Sequence, residues 1–194
     1  MQPGEDTRIQ IIVEQAIELF STKGYDITLD ELVDRSGISK TVILNYFKSK
    51  EDILQFISRQ QIHSIQEHIR RLQNQMGLLT PTIIQLFVDF SNDIQNSQTL
   101  MQTLFQSSLR NPTFRQNQYE AVGLINDVLE DLFERGQKSG ELTTLLSAYT
   151  MAQLASQQYF GILLNWCMSS ENYCLQDRVK VSFGMLFNGL LNRY

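Results

Sequence analysis

Residues 28–54 read Thr-Leu-Asp-Glu-Leu-Val-Asp-Arg-Ser-Gly-Ile-Ser-Lys-Thr-Val-Ile-Leu-Asn-Tyr-Phe-Lys-Ser-Lys-Glu-Asp-Ile-Leu, and this stretch decides how the chain folds. Thr28 brings an acceptor oxygen to the first free backbone N–H groups of a helix, and Glu31 stands where it completes a capping box. Leu29, Leu32 and Val33 follow at helical spacing. Gly37 then supplies a residue that takes positive φ without strain, so this short helix can stop there and turn sharply. Ser39 stands at the cap of a second helix over about residues 39–47. In it Ile38, Val42 and Ile43 face the first helix, while Lys40, Thr41, Asn45 and Tyr46 point elsewhere. A third helix starts at Ser49, with Glu51 and Asp52 in its first turn, where negative charge suits the helix dipole. Two short helices joined by a glycine turn, the second opening on Ser-Lys-Thr, form the pattern of a helix-turn-helix that reads DNA.

Charge narrows this reading. The 194 residues carry 16 Lys+Arg against 21 Asp+Glu, a net of −5, which excludes a general nucleic-acid coat or a basic tail. Residues 35–50, however, hold Arg35, Lys40, Lys48 and Lys50 and no acid. A positive patch confined to one surface of an acidic protein suits a local, salt-sensitive grip on phosphate. A solvated helix face would explain the cations alone; joined to the helix punctuation, they favour DNA.

With Leu19-Phe20, Gly24-Tyr25, Thr28, Leu32, Gly37-Ile38-Ser39-Lys40, Tyr46-Phe47-Lys48-Ser49-Lys50-Glu51 and Ile53-Leu54 in place, the N-terminal part of the chain resembles the DNA-binding domain of TetR-type transcriptional regulators. The resemblance implies a three-helix head over residues 1–50 and a helical effector-binding and dimerisation domain over 51–194. It implies phosphate contacts at Thr28 and Lys50, and a recognition helix that presents Ser39, Lys40, Thr41, Asn45 and Tyr46. Lys40 and Asn45 are the best candidates for base edges, because Lys donates to guanine and Asn pairs bidentately with adenine. One departure stands out. Where the family runs in the style Gly-Thr-Leu-Tyr, this chain has Thr41-Val42-Ile43-Leu44, so two positions that commonly offer a hydroxyl to phosphate are apolar.

The remaining sequence shows no strand-like alternation and reads as all-α. Ile9, Val13, Ala16 and Phe20 make the stripe of a first helix that Gly24 closes. From Ser49 a long helix carries Ile53, Ile57, Ile62, Ile65, Ile69, Leu72 and Met76 before Gly77 and Pro81 break it. Pro81 suits the first turn of the next helix after Thr80 as cap, with Leu86, Phe87 and Phe90 buried. Asn96-Ser97 and Asn111-Pro112 set off a short helix holding Leu100, Leu104, Phe105 and Leu109. Another helix runs from about Pro112 to Gln137, and two last ones over roughly 144–169 and 174–193. These two are apolar over so much of their circumference that both must be covered on several faces. The expectation is a homodimer through a four-helix bundle that uses Phe160, Leu164, Phe183, Phe187 and Leu190. Such a dimer presents two recognition helices about 34 Å apart to a palindromic, double-stranded operator.

A helical body also suits a small, mostly apolar effector. His63, Gln66, Phe87, Phe90, Phe105, Tyr119, Asn126 and Tyr159 sit on different helices and are the candidate lining, with ordinary core packing as the plainer account of the aromatics. No catalytic constellation, cofactor fingerprint or metal motif is present: His63 and His68 lack zinc-site spacing. Cys167 and Cys174 are too few for a disulfide scaffold and read as reduced thiols, with a redox sensor as the alternative. No apolar run is long enough to span a membrane and no leader precedes Thr7, so a cytoplasmic protein is expected. The reading is a DNA-binding regulator, a ligand-released repressor rather than an enzyme. The rival is a TetR-like protein-interaction module whose head has lost DNA affinity.

Overall fold

The computed structural model describes residues 5–72, 77–170 and 173–190. Among them are nine α-helices and no β-strand: α1 (Glu5–Lys23), α2 (Leu29–Ser36), α3 (Lys40–Tyr46), α4 (Lys50–Leu72), α5 (Leu79–Ile94), α6 (Gln98–Arg110), α7 (Pro112–Lys138), α8 (Ala148–Met168) and α9 (Leu175–Leu190). A 3-10 turn, Gly24–Asp26, joins α1 to α2. Met76 and Leu191, read from sequence as helical, lie outside the described residues, as does the side chain of Leu190.

The chain forms two compact units that are not consecutive stretches. One holds the described residues up to Gln61 together with Ser97–Gln118; the other holds Ile62–Asn96 and the residues from Tyr119 onward. Three short helices cannot bury much apolar surface alone. The core of the first unit therefore joins Ile12, Ala16 and Phe20 of α1, Leu32 of α2, Ile43 of α3 and Ile53, Leu54 and Ile57 of α4 to Leu100 and Leu104 of α6 and Phe114 of α7. Phe47 and Phe56 meet edge to face within it at 5.5 Å.

In the second unit the buried residues are Ile83, Leu86, Phe87 and Phe90 of α5, Leu129, Leu132 and Phe133 of α7, Met151, Ala152, Ala155, Tyr159 and Trp166 of α8, and Leu175, Val179, Phe183 and Phe187 of α9. Ring stacking ties α9 in: Phe183 lies 4.3 Å from Phe87, and Phe187 lies 5.9 Å from Phe133. Phe183 and Phe187 are thus core of their own protomer, not surface offered to a second copy, because α5 and α7 cover the sides of α9 that carry them.

Side-chain caps set several helix starts. Asn111 Oδ1 accepts the N–H of Phe114 at 3.0 Å, which starts α7 on Pro112. Ser147 Oγ accepts the N–H of Thr150 at 3.1 Å, so α8 begins at Ala148 and Leu145, expected inside the helix, is exposed before it. Thr80 lies inside α5 and caps nothing; the residue before the helix, Leu78, has no side chain that could. Instead the Glu141 carboxylate accepts the N–H groups of Leu79 and Thr80, each at 2.7 Å. The loop that carries Glu141 is held close to α7, where a Cβ on Gly136 would come within 2.6 Å of the buried Leu142 side chain.

Candidate functional site

The helix-turn-helix is built from its caps outward. Thr28 Oγ1 accepts the N–H of Glu31 at 3.2 Å while Glu31 accepts the N–H of Thr28 at 2.8 Å, which completes the capping box of α2. The Lys23 ammonium donates to the Glu31 carboxylate and, with the Thr28 N–H, holds its pKa down at about 2. Gly37 ends α2 at φ +66°, its N–H donating to the Val33 carbonyl at 2.9 Å. Ser39 occupies the cap position of α3 but its side chain makes no cap hydrogen bond, which leaves the hydroxyl exposed.

Burial then sorts α3. Ile43 is buried and Val42 half-buried, fixing the helix on the head, while Ser39, Lys40, Thr41, Leu44 and Asn45 are exposed. Tyr46 is half-buried and packs on the core, so it contributes less to the outward face than sequence spacing suggests. Lys40 Nζ donates to Asp30 Oδ1 of α2 at 2.8 Å. Arg35 pairs with Glu18. Lys48, one of the cations of the 35–50 patch, is exposed and has no ion pair among the described residues.

Lys50 is engaged within its own unit. Its ammonium donates to the carbonyls of Tyr25 at 2.6 Å and Ile27 at 3.3 Å, and sits 4.1 Å from the centre of the Tyr25 ring. The Tyr25 hydroxyl in turn donates to Glu51 at 2.6 Å; this hydrogen bond and then burial raise its pKa. The start of α4 is thereby bound to the α1–α2 connection. Of the seven expected DNA contacts, Ser39, Lys40, Thr41 and Asn45 form one exposed patch. Thr28 and Lys50 are engaged in holding the motif together.

The body gathers some of the expected ligand residues and scatters others. Phe87 lies 6.2 Å from Phe90 and 5.1 Å from Tyr159, so these three form one aromatic cluster with Phe183. Burial raises the Tyr159 pKa strongly, against the opposing effect of a hydrogen bond with Ser91. Gln66 and Asn126 are buried: the Gln66 amide donates to the Leu124 carbonyl at 3.3 Å, and Asn126 Oδ1 accepts from Ser156 at 2.5 Å. His63 is exposed and Tyr119 is 77% exposed, so neither lines the interior. Phe105 belongs to the other compact unit.

A surface cavity of about 310 Å³ lies elsewhere, between α8 and α9, lined by Gln157, Gln158, Gly161, Ile162, Asn165 and Arg178. Of the expected interface residues, Phe160 is half-buried and Leu164 is 42% exposed. The outward apolar residues of these helices are Tyr149, Leu154, Leu164 and Met168 on α8 and Val181 and Met185 on α9. Cys167 is buried, which pushes its pKa up to about 11, and Cys174 is exposed.

A helix-turn-helix head with an exposed polar recognition helix, on an all-helical body, defines a DNA-binding transcriptional regulator. Residues 12–57 match the family model for bacterial regulatory proteins of the tetR family. The chain is 25% identical over 191 residues to the fatty acid metabolism regulator protein of Bacillus subtilis, covering 94% of this chain and 95% of that protein. Its fold is similar to Thermus thermophilus FadR, a TetR-family transcriptional repressor crystallised with lauroyl-CoA, at TM-score 0.74 and 23% identity over 96% of each chain. It is also similar to FadR from Bacillus subtilis crystallised with stearoyl-CoA, at TM-score 0.80 and 20% identity over 93% of this chain and 98% of that one. Residues 12–57 thus carry a DNA-binding domain of the tetR type, and the chain as a whole has the fold of these regulators.

Proposed function

We propose that this protein is a cytoplasmic repressor that binds a palindromic operator as a homodimer and releases it on binding a long-chain acyl-CoA thioester. The observation that carries the ligand is the extent of the likeness. The family match ends at residue 57, whereas the 25% identity to the fatty acid metabolism regulator runs over 191 residues and so includes the body. An acyl chain needs an apolar path between helices, and the cluster of Phe87, Phe90, Tyr159 and Phe183 supplies apolar walls, with Gln66 and Asn126 as polar groups at the interior of α4 and α7.

With the rings of Phe87 and Phe183 stacked at 4.3 Å, there is no space for a chain between them. Entry of a ligand there requires the rings to part. A ligand that binds only the parted arrangement has the differential affinity for two states that release of DNA demands. The boundary between the two compact units falls inside α4, after Gln61, and inside α7, after Gln118, so each of these helices contributes residues to both units.

The exposed apolar side chains of α8 and α9 support a second copy as the partner. Among them lie Gly161 and Gly184, where an added Cβ would meet no atom within 4 Å, so helices can approach closely. The test is fluorescence anisotropy with a duplex from the promoter beside the protein's own gene. Lauroyl-CoA or stearoyl-CoA should weaken binding by about tenfold or more, and CoA alone or laurate should not. Binding unchanged by both thioesters would overturn the ligand assignment.

A further inference from the structure

We propose that Asp30 guards the recognition helix: by holding Lys40 while DNA is absent, it lowers affinity for DNA of every sequence, so that only an operator, with its added base contacts, is held. This rests on the DNA-binding function and not on the identity of the effector. The geometry is direct. Asp30, in the first turn of α2, reaches across to the first residue of α3 and accepts from Lys40 Nζ at 2.8 Å. Both side chains are open to solvent, Lys40 at 52% and Asp30 at 76%, so the pair is breakable and lies on the surface that meets DNA.

The surrounding charges give Asp30 its weight. Arg35 is paired with Glu18, Lys23 with Glu31, and Lys50 is turned onto the carbonyls of Tyr25 and Ile27. Lys40 is therefore one of few cations that this face can commit to DNA. To do so it must exchange Asp30 for a phosphate or a base edge, and the exposed carboxylate then stands uncompensated beside a polyanion. On random DNA the gain is one phosphate contact, set against a lost ion pair. At an operator, base-edge hydrogen bonds from Lys40, Thr41 and Asn45 add to the same balance. The carboxylate thus subtracts about equally from both complexes, but only the operator complex has base contacts that outweigh it.

The experiment uses the full chain, a random-sequence duplex, and an operator duplex selected on the wild type from a random pool. Asp30→Asn, and Asp30→Ser as a second helix-start residue, should tighten random-DNA binding by up to about fivefold, the range of an exposed ion pair. They should steepen the plot of log K against log salt by about 0.9, one phosphate's worth. Operator affinity should rise by a similar factor, so the ratio of the two stays about constant. In a Lys40→Ala background the same substitutions should change both quantities less, because only the direct repulsion between the carboxylate and DNA is then removed. Random-DNA affinity that is unchanged or lower in both variants would overturn the proposal. So would an equal gain in the Lys40→Ala background, which would make Asp30 a general repulsive charge. A wild type that binds neither duplex at low salt would remove the DNA-binding function itself, and the proposal with it.

Discussion

Glu141 accepts the backbone N–H of Leu79 at 2.7 Å across 62 residues of sequence, and its other carboxylate oxygen accepts that of Thr80. The loop between α7 and α8 thereby supplies the first turn of α5 with both a hydrogen-bond acceptor and the negative charge that suits a helix N-terminus. Burial pushes the Glu141 pKa up, but the two N–H donors outweigh it and hold the carboxyl below its usual range. Glu141→Ala should cost about 1–2 kcal/mol, the value of a lost cap, and Glu141→Gln less, because one oxygen remains. Urea unfolding checks this. An Ala variant as stable as the wild type would mean that water replaces the cap at no cost.

A second carboxylate gives the head a dependence on pH of known sign. Glu31 takes the Lys23 ammonium and the Thr28 N–H, and its pKa is lowered from 4.5 to about 2. Because the folded value lies below the unfolded one, the contribution is fully present above pH 4.5 and is lost as pH falls toward 2. Glu141 is shifted in the same direction and adds to the trend. Urea midpoints taken stepwise through this acid range should fall more steeply for the wild type than for Glu31→Gln. Parallel profiles would remove the capping box as a source of acid sensitivity.

Lys48 and Lys50 should separate cleanly in their effect on DNA. Lys48 is exposed, so Lys48→Ala should lower the salt slope by about 0.9 if it meets one phosphate and leave the melting temperature unchanged. The Lys50 ammonium is bound to two carbonyls and to the Tyr25 ring. Lys50→Met should therefore lower the melting temperature, through unsatisfied carbonyls worth about 1–3 kcal/mol, with little change in the slope. Salt titrations of binding, paired with thermal melts, read both quantities. A slope change in Lys50→Met without destabilisation would return Lys50 to the phosphate contacts.

What sequence revealed and what it hid divide by distance along the chain. The capping box at Thr28, the turn at Gly37 and the start at Asn111-Pro112 were legible because each depends on residues within one helical turn. The cap on α5 was not, because Glu141 arrives from a remote loop and nothing near Thr80 announces it. The hydrogen bonds of Lys50 were hidden for a similar reason: only the 3-10 turn brings the Tyr25 carbonyl to its ammonium. In the body, Phe87, Phe90 and Tyr159 proved to be neighbours, while Tyr119 shares their aromatic character but faces outward, since composition carries no information about which side of a helix a neighbour covers.

The same limit decides which residues should control dimerisation. An apolar circumference made Phe183 and Phe187 look like interface, but both are fully covered within the protomer, and the exposed apolar positions include Leu164 and Met185. Two classes of variant therefore part company. Leu164→Glu combined with Met185→Glu places charge on an outward face, which should leave the fold intact and make the protein monomeric by sedimentation. Losing the second half-site contact should then weaken operator binding by about a hundredfold or more. Phe183→Ala removes a core ring stacked at 4.3 Å on Phe87 and should cost about 3–5 kcal/mol of stability, while folded protein remains dimeric. A monomeric, stable Phe183→Ala protein, or a double Glu variant that stays dimeric, would show that the interface follows the sequence pattern rather than the exposed faces of α8 and α9.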